Sequence, residues 1–305
     1  MAECSVPDRR GLHLLIWVYR GGELWHETLR SVASQRHIFD SVIISCNGQQ
    51  RSTLAKELLE PEWEALKPEI LVTTSDISAV DHAIWSSQHT RLQEIPDSGL
   101  LVLLAEDDLL NFESLIPAIE QARRLPNSFL FGRWNYANGW YGSPRSATIQ
   151  VKKDHRQIEQ ALIGRGQPGA TLVCISGLVM TAATFQRGCA VMSIKKNSRA
   201  LLTGVRSEFF FATQPNVECL LTSDSPIAFV NEHEDRESNS ISRKLWSSDE
   251  ALFQLWLLAS SYPTSLRMRT LTLLRLVRSL WHAPSLIPNL RPAFKHFRRQ
   301  IRTPR

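Results

Sequence analysis

The stretch Leu100-Leu101-Val102-Leu103-Leu104-Ala105-Glu106-Asp107-Asp108-Leu109-Leu110 contains the strongest structural signal in the chain. An apolar run of strand length stops abruptly at three neighbouring carboxylates. Unbroken apolar runs are typical of strands that are buried on both faces of a parallel sheet. Adjacent carboxylates repel one another, so they are kept together only where something neutralises them. The stretch therefore predicts a buried strand with an acidic site at its carboxyl end.

The sequence on both sides of this stretch alternates between strand and helix patterns. Apolar runs predict strands at residues 12–18, 41–46, 69–73 and 100–105, and helical spacing predicts helices at residues 23–35, 53–59, 79–91 and 112–124. Pro117 is expected in the first turn of the last helix or at a kink. The alternation predicts an α/β fold of the Rossmann type, with a mostly parallel sheet flanked by helices. Ligands of such sheets bind at the carboxyl ends of the strands.

The pattern changes twice along the chain and suggests three parts. Residues 1–125 are regular, whereas residues 126–245 are less so, with strands predicted at 129–133, 171–176 and 227–231. Beyond them, helices are predicted at 249–260 and from Pro263 to about Trp281. We therefore predict a body at residues 1–245, made of two halves that meet near residue 125, and a helical C-terminal extension at residues 246–305.

The formal net charge of +5 comes from this extension. Residues 251–305 contain ten Lys or Arg and no Asp or Glu, which leaves residues 1–250 with a net charge of −5. This division disfavours a uniformly basic nucleic-acid-binding protein. A hydrophobic content of 43% excludes a disordered chain.

Cysteine usage and hydropathy predict the compartment. The chain has five cysteines, an odd number, and none of them shows CxxC spacing, which indicates a protein of a reducing compartment with ordinary thiols. The apolar run at 14–18 is too short for a secretory signal, and no run of about 18 apolar residues predicts a membrane span. We expect a cytoplasmic protein, with peripheral attachment to the inner face of the cell membrane as a further expectation.

The three carboxylates Glu106, Asp107 and Asp108 have two interpretations. A divalent cation such as Mg²⁺ takes one or two carboxylates and fills its other positions with water and phosphate oxygens. Alternatively, the acids precede the helix at 112–124 and stabilise its first turn. The histidines show no HExxH pattern, which disfavours a zinc enzyme.

A second motif resembles a known family. Tyr19 follows the first predicted strand, and the next helix contains Thr28-Leu29-Arg30-Ser31-Val32-Ala33-Ser34-Gln35. This order is similar to that of family 2 glycosyltransferases, whose first helix has a Thr-Leu-x-Ser-hydrophobic-x-x-Gln pattern. The strand at 42–45 and the later carboxylates also occupy the positions expected of that family, over roughly residues 11–115.

The resemblance implies a GT-A fold, a nucleotide-diphospho-sugar donor and a divalent metal, Mg²⁺ or Mn²⁺. The family's second strand usually ends in Asp-Asp-Gly-Ser, whereas here it ends in Cys46-Asn47-Gly48-Gln49. Either Glu106-Asp107-Asp108 is itself the metal motif, with Glu106 and Asp108 as ligands, or Ala105 replaces the first acid of a longer motif. We expect the former, with Asp108 as the principal ligand. The residues expected at the donor are Tyr19, Asn47, Asp76, Glu106, Asp107 and His233.

The resemblance also implies a general base and a phosphate-binding loop. Inverting members place an acid about a hundred positions after the metal motif, and Glu208 lies 100 residues after Asp108. Glu234 and Asp235 are the competing candidates, and Glu208 is alternatively an ordinary helix N-terminal acid. His233 is expected near the donor phosphates or metal and Arg236 near the phosphates, unless residues 231–240 form only a solvated loop.

Aromatic residues predict where a saccharide acceptor binds. Gly132-Arg133-Trp134-Asn135-Tyr136-Ala137-Asn138-Gly139-Trp140-Tyr141-Gly142 combines four aromatic rings with amides. Rings stack on sugar faces, so Trp134, Tyr136 and Trp140 are expected at the acceptor, although a hairpin with packed aromatics is equally consistent. Ser176-Gly177-Leu178 resembles the small-residue turn of the family, where Gly177 lets substrate approach the backbone.

The C-terminal extension combines a basic and an apolar helix side. At about 100° per residue, Arg267, Arg275, Arg278 and His282 share one side of the helix that precedes Ala283. Such a helix suits either packing on the body or binding to an anionic membrane surface. Residues 291–305 add five Arg and one Lys.

The sequence thus predicts a metal-dependent, inverting glycosyltransferase of the hexosyl or deoxyhexosyl class. The resemblance points to bacterial polysaccharide assembly, such as O-antigen, capsule or exopolysaccharide, with a saccharide or lipid-linked acceptor. Two other classes remain open. One is a non-catalytic module that binds a nucleotide-sugar or saccharide, and the other is a nucleic-acid-binding adaptor with a basic tail.

Overall fold

Strand side chains alternate between the two faces of a sheet, so unbroken apolar runs supply two cores at once. The computed structural model describes residues 10–19, 23–48, 56–58, 60–125, 127–130, 133–136, 149–152, 175–193, 214, 216–231, 243–259 and 266–302. Within these residues, Leu15 and Trp17 pack on one face of the sheet. Leu14 and Ile16 pack on the other face. The apolar run at 12–18 is therefore a central strand.

The main sheet has eight strands in the order β3-β2-β1-β4-β9-β6-β10-β8. All of its neighbouring pairs are parallel except those made by β8 and β9. A smaller sheet has the order β5-β11-β7. The strands are β1 (Leu12–Val18), β2 (Ser41–Cys46), β3 (Glu69–Val72), β4 (Leu100–Ala105), β5 (Leu109–Leu110), β6 (Ser128–Leu130), β7 (Arg133–Tyr136), β8 (Ile149–Lys152), β9 (Val179–Thr181), β10 (Cys219–Ser223) and β11 (Pro226–Val230).

Helices cover both faces of the main sheet. Trp25 and Leu29 of one helix pack on the face of Leu14, together with Leu115 of another. Phe185 packs on the face of Leu15. The helices are α1 (Glu23–Ser34), α2 (Ala79–Gln88), α3 (Thr90–Gln93), α4 (Phe112–Arg124), α5 (Ala182–Met192), α6 (Arg243–Ala259), α7 (Leu266–His282) and α8 (Leu290–Arg302).

Register brings the carboxyl ends of four strands to the same edge. Val18 of β1 pairs with Cys46 of β2, and Trp17 pairs with Ala105 of β4. Cys46 in turn pairs with Val72 of β3. The segments that follow β3, β2, β1 and β4 therefore leave the sheet side by side.

Most predicted elements of the first half are confirmed within a residue or two, and the differences are local. The helix predicted at 79–91 divides at His89, whose extended backbone ends α2 and begins α3. Pro117 lies inside α4 rather than in its first turn. The helix predicted at 53–59 falls largely outside the described residues.

The second half differs more. The strand predicted at 171–176 is wrong in its described part, because residues 175–177 form a turn and the strand is β9, two residues later. The strand predicted at 129–133 is divided between β6 and β7. Antiparallel β9 joins β4 to β6, an insertion that no local pattern indicates.

The C-terminal helices contribute to the main core. Phe253 and Trp256 of α6 belong to the same buried cluster as Leu15 of β1. The ring of Phe297 on α8 meets that of Trp256 edge-on, with centroids 5.4 Å apart. Among the described helices, none is long and apolar enough to cross a membrane. The boundary at residue 246 stays a prediction, and so does the division near residue 125.

The fold class is confirmed. The described chain is α/β, with a mostly parallel sheet flanked by helices and several helices at the C-terminal end. Its architecture places polar segments at one edge of the sheet, as the strand pattern predicts.

Burial should decide the cost of the same substitution in two helices. Leu115 on α4 is completely buried, whereas Leu273 on α7 is 52% exposed. We expect Leu115→Ala to lower the free energy of unfolding by about 2–5 kcal/mol, because a buried cavity is left behind. Leu273→Ala should change it by less than about 0.5 kcal/mol. Urea titrations of both variants measure the difference, and equal midpoints would contradict the assigned packing.

Candidate active site

Four consecutive strands of the sheet end in polar segments that meet at one edge. Tyr19 follows β1, and Asn47 follows β2. Asp76 lies in the segment after β3, and Glu106 to Asp108 follow β4. Since these strands are neighbours and parallel, the sheet brings together the segments that the sequence predicts to bind ligand.

Asp108 lies at the centre of this edge and is completely buried. Its Oδ2 accepts a hydrogen bond from the Ser176 hydroxyl at 2.6 Å. Its Oδ1 accepts one from the backbone N–H of Asn231 at 3.2 Å. The amide nitrogen of the Asn231 side chain also donates to the Asp107 carbonyl. Both carboxylate oxygens of Asp108 therefore hold neighbouring segments in place.

The other two acids differ in exposure. Glu106 is 8% exposed and lies close enough to Cys46 to act on it electrostatically. Burial and, to a smaller extent, the Glu106 carboxylate raise the pKa of the Cys46 thiol to about 12. Asp107 is partly exposed. Of the three acids, Asp107 is thus the one most accessible to a ligand outside the sheet edge.

This set of donors suits one kind of metal site. Among the described residues, no group of three or more His, Cys, Asp and Glu side chains is arranged to hold a metal ion by itself. Mg²⁺ commonly uses one or two carboxylates and completes its shell with water and phosphate. The partly exposed carboxylate of Asp107 fits that mode, whereas the buried Asp108 already has a donor on each oxygen.

Thr28 fastens the first helix to the acidic segment. Its hydroxyl lies 2.7 Å from the carbonyl oxygen of Glu106 and 3.0 Å from that of Asp108. The side chain is completely buried. The Thr-Leu-x-Ser motif that carried the family resemblance therefore has a physical role here, which is to hold the backbone of the carboxylates.

Asn47 joins the ends of β2 and β3. Its Nδ2 donates to the Ile77 carbonyl at 2.7 Å, and its Oδ1 accepts from the Ile77 backbone N–H at 3.0 Å. The Thr73 hydroxyl also lies 3.3 Å from that oxygen. This amide acts first on the protein backbone, and its predicted contact with a nucleotide base or ribose stays a prediction.

Gly48 allows these two segments to approach closely. It has a φ of +57°, and a Cβ at this position would lie 1.7 Å from Oδ1 of Asp76. Only glycine accommodates both the left-handed backbone and this contact. The carboxylate of Asp76 is consequently placed against the turn after β2, and its predicted role in donor binding stays a prediction.

Tyr19 packs against a buried histidine. The two rings of Tyr19 and His82 meet edge-on, with centroids 5.2 Å apart. Nε2 of His82 lies 2.8 Å from the Ser45 hydroxyl, while Nδ1 has no hydrogen-bond partner among the described residues. Burial lowers the pKa of His82 to about 4. The imidazole is therefore neutral at physiological pH and acts as a fixed support beneath Tyr19.

The predicted acceptor residues are only partly described. Trp134 and Tyr136 lie on β7, which pairs with β11, and Val230 at the end of β11 is opposite Tyr136. Asn231, which binds Asp107 and Asp108, directly follows Val230. The end of β7 therefore lies near the acidic segment. Gly177 has a φ of +82° and packs against Ala228, which accounts for glycine independently of any substrate.

Several predicted residues lie outside the described residues. They are Glu208, Trp140, His233, Glu234, Asp235 and Arg236. Their expected roles stay predictions.

Sequence reasoning missed three residues that organise this site. Ser176 and Asn231 bind Asp108, and His82 supports Tyr19. Asn231 directly follows a strand, and this position could have identified it. The sequence pattern there pointed to His233 instead. Ser176 belongs to the predicted Ser-Gly turn, but its partner Asp108 is 68 residues away in sequence, so no local pattern indicates the contact.

Comparison with known proteins identifies the fold. No protein-family model matches the chain, and no curated protein matches its sequence significantly. S. aureus TarS residues 1–349 in complex with UDP-GlcNAc superposes with a TM-score of 0.56 at 13% identity, over 96% of this chain and 89% of that chain. The same fragment alone gives a TM-score of 0.54 with the same identity and coverage. Full TarS gives 0.52 at 13% identity, over 96% of this chain and 54% of that chain. At this identity the likeness establishes a shared fold.

Removing one donor to Asp108 should destabilise the protein. In Ser176→Ala the buried carboxylate keeps the Asn231 N–H but loses the hydroxyl at its Oδ2. We expect the free energy of unfolding to fall by about 1–3 kcal/mol, because a buried acceptor loses its partner. Ser98→Ala, at an exposed turn position, is the matched control. Urea denaturation of both variants gives the comparison, and an unchanged midpoint for Ser176→Ala would argue against the described contact.

The lowered pKa of His82 predicts a pH dependence of stability. An unfolded histidine binds its proton near pH 6.5, whereas His82 in the fold does so only near pH 4. As pH falls between these values the unfolded chain binds more protons, so stability present above pH 6.5 is progressively lost. The lost stability amounts to about 3 kcal/mol for a shift of this size.

This pH dependence is measured by urea unfolding from pH 7 to pH 4. We expect His82→Gln to flatten the profile relative to wild type, since the titrating group is gone. His37→Gln is the control at an exposed histidine and should follow the wild-type profile. A His82→Gln profile as steep as that of wild type would rule out the buried imidazole as the cause.

Proposed function

We propose that the chain is a glycosyltransferase that moves a sugar from a nucleotide-diphospho-sugar to a saccharide or lipid-linked acceptor. The observation that carries this proposal is the meeting of polar segments from β1, β2, β3 and β4 beside a partly exposed Asp107. The structural neighbour TarS, which shares this fold, is known in complexes with UDP-GlcNAc and UDP. A uridine nucleotide is therefore the first donor to test.

In this proposal the segments after β2 and β3 hold the nucleoside. Asn47 fixes the Ile77 backbone through both of its amide atoms, so the two segments present one pre-arranged surface. Asp76 is exposed in the segment after β3, and Tyr19 follows β1, the strand next to β2. A surface that is ordered before the ligand arrives lowers the entropic cost of binding.

The diphosphate lies nearer the acidic segment, where a divalent cation would be held. The exposure of the three acids favours Asp107 as the metal ligand, with Asp108 as the residue that positions it. Glu106, although only 8% exposed, stays the second ligand because the family resemblance implies it. A bound Mg²⁺ or Mn²⁺ supplies a Lewis acid that stabilises negative charge on the leaving nucleoside diphosphate. Thr28 and Asn231 hold the backbone around Asp107, so the residue that carries this carboxylate has a fixed position.

The acceptor half completes the proposal. Glu208 is the proposed general base that takes the proton from the acceptor hydroxyl, as an inverting displacement requires. Trp134, Tyr136 and Trp140 are proposed to contact the acceptor, and His233 the donor phosphates. We assign the enzyme to the hexosyl or deoxyhexosyl class, acting in bacterial polysaccharide assembly on the cytoplasmic side of the membrane.

Metal-dependent binding of donor product tests the proposal. We expect calorimetry to detect binding of UDP in the presence of Mn²⁺ and at least tenfold weaker binding in its absence. Asp107→Asn should weaken the Mn²⁺-supported binding by about tenfold or more, because the ligand loses its charge. Asp97→Asn, at an exposed acid in the turn before β4, should bind as wild type does.

The contrary outcomes are distinct. If Mn²⁺-supported UDP binding persists in Asp107→Asn but is lost in a folded Asp108→Asn variant, Asp108 and not Asp107 is the metal ligand. Binding of UDP without hydrolysis or transfer of any sugar from a panel of UDP-sugars would identify a non-catalytic binding module. An absence of nucleotide binding, with metal or without, would refute the proposal.

A further inference from the structure

The outer surface of α7 is apolar although it has no covering segment among the described residues. The exposed fractions of its side chains reach 81% for Leu266 and 83% for Trp281. Leu273, Leu274 and Val277 lie between them and are 52%, 60% and 58% exposed. These five residues are named the outer stripe. Exposed apolar residues that occur singly are ordinary, but five of them on one side of a helix indicate a surface that binds something.

The outer stripe is separate from the side by which α7 packs. Thr272, Leu276 and Ser279 are buried, and Leu276 belongs to the same core cluster as Phe253 and Trp256 of α6. At about 100° per residue, the stripe spans roughly 100° of the helix circumference and lies well away from that buried row. The apolar side that the sequence predicts is thus mostly exposed, and it is not packed in the core of the described residues.

Arginines border the stripe on both sides. Arg269 and Arg278 are exposed, and each lies about 40° beyond one edge of the stripe when placed at 100° per residue. No Asp or Glu occurs anywhere in residues 251–305. The neighbouring helix α8 exposes Arg291, Lys295, Arg298 and Arg299. Exposed basic side chains around an apolar centre fit a partner that is apolar in its middle and negatively charged at its edges.

We propose that α7 lies in the surface of an anionic lipid bilayer, with the outer stripe among the acyl chains and the arginines at the headgroups. Helices that bind in this way have an apolar side, flanking Arg or Lys, and insufficient overall hydrophobicity to cross the membrane. Trp281 at one end of the stripe suits the boundary between headgroups and acyl chains. Arg269 and Arg278 have stems long enough to reach phosphate while the helix is partly immersed.

The charge pattern disfavours a second copy of the chain as the occupant. In a twofold interface the same patch faces itself, so the arginines of one copy would approach those of the other. The helix supplies no carboxylate to pair with them. An anionic lipid surface instead provides mobile negative charge along the entire stripe. This inference depends on the surface of α7 and not on the proposed sugar transfer.

Sedimentation with vesicles tests the inference. The protein is mixed with vesicles of phosphatidylcholine alone or of phosphatidylcholine and phosphatidylglycerol, at low and high salt. We expect binding to the anionic vesicles that weakens as salt increases. The double variant Leu273→Ser/Leu274→Ser should reduce partitioning by about tenfold or more, because two large apolar groups no longer leave water. Arg269→Glu/Arg278→Glu should reduce it at least as strongly.

Two controls distinguish the contribution of the outer stripe from that of the overall positive charge and from any effect on nucleotide binding. Lys67→Glu/Arg124→Glu makes the same change in charge at exposed positions on the body and should leave partitioning unchanged. UDP binding by each variant is measured in parallel, since it should not depend on the stripe. Brominated lipids should quench the fluorescence of wild type, and the quenching should shrink in Trp281→Phe.

Three outcomes would overturn the inference. Binding that is lost with the arginines but kept in the serine variant would show a purely electrostatic contact. Equal quenching in wild type and Trp281→Phe would show that the stripe does not enter the bilayer. An absence of vesicle binding, together with a dimer that dissociates in the serine variant during light scattering, would assign the stripe to a protein interface.

Discussion

One buried side chain, the carboxyl group of Asp108, links several parts of the fold. A buried polar group is tolerated only when hydrogen bonds replace its contacts with water. Ser176 comes from the turn before β9, and the Asn231 N–H comes from the end of β11, so this carboxyl group connects two distant parts of the chain to the end of β4. Thr28 adds the first helix through the carbonyls on either side of Asp107. These contacts fix the backbone on both sides of Asp107, which is why the candidate site depends on a residue that is itself inaccessible.

The first four strands were predictable because their signal is local. Strands β1, β2 and β4 have their predicted bounds, since an unbroken apolar run between polar segments leaves little choice of register or length. The edge at which Tyr19, Asn47 and Asp108 meet followed from parallel pairing. Antiparallel β9 was not predictable, because its position between β4 and β6 depends on contacts across the sheet rather than on its three residues.

The roles of individual site residues were harder to predict than their positions. Asn47 is predicted to contact a nucleotide, and the structure shows in addition that its amide binds the backbone of Ile77. A local sequence pattern does not distinguish an amide that binds ligand from one that orders the loop beneath it. For the same reason, the sequence motif predicts Asp108 as the principal metal ligand, although Asp108 is buried and Asp107 is the more accessible of the two acids. His82 showed no motif at all, and only the packing against Tyr19 gives it a role.

The separation of the partners of Asp108 along the chain has a consequence for folding. Thr28 lies 80 residues before it, Ser176 lies 68 residues after it, and Asn231 lies 123 residues after it. Closing loops of this length costs conformational entropy before the contacts that they bring together can stabilise the fold. Contacts between residues distant in sequence therefore form slowly. During synthesis the strand that ends at Asp108 is complete long before residue 231 has been added. Until then the Asp108 carboxyl group and the Asp107 carbonyl lack the hydrogen bonds that Asn231 donates to them in the folded structure. The site should consequently be among the last parts of the sheet edge to become ordered.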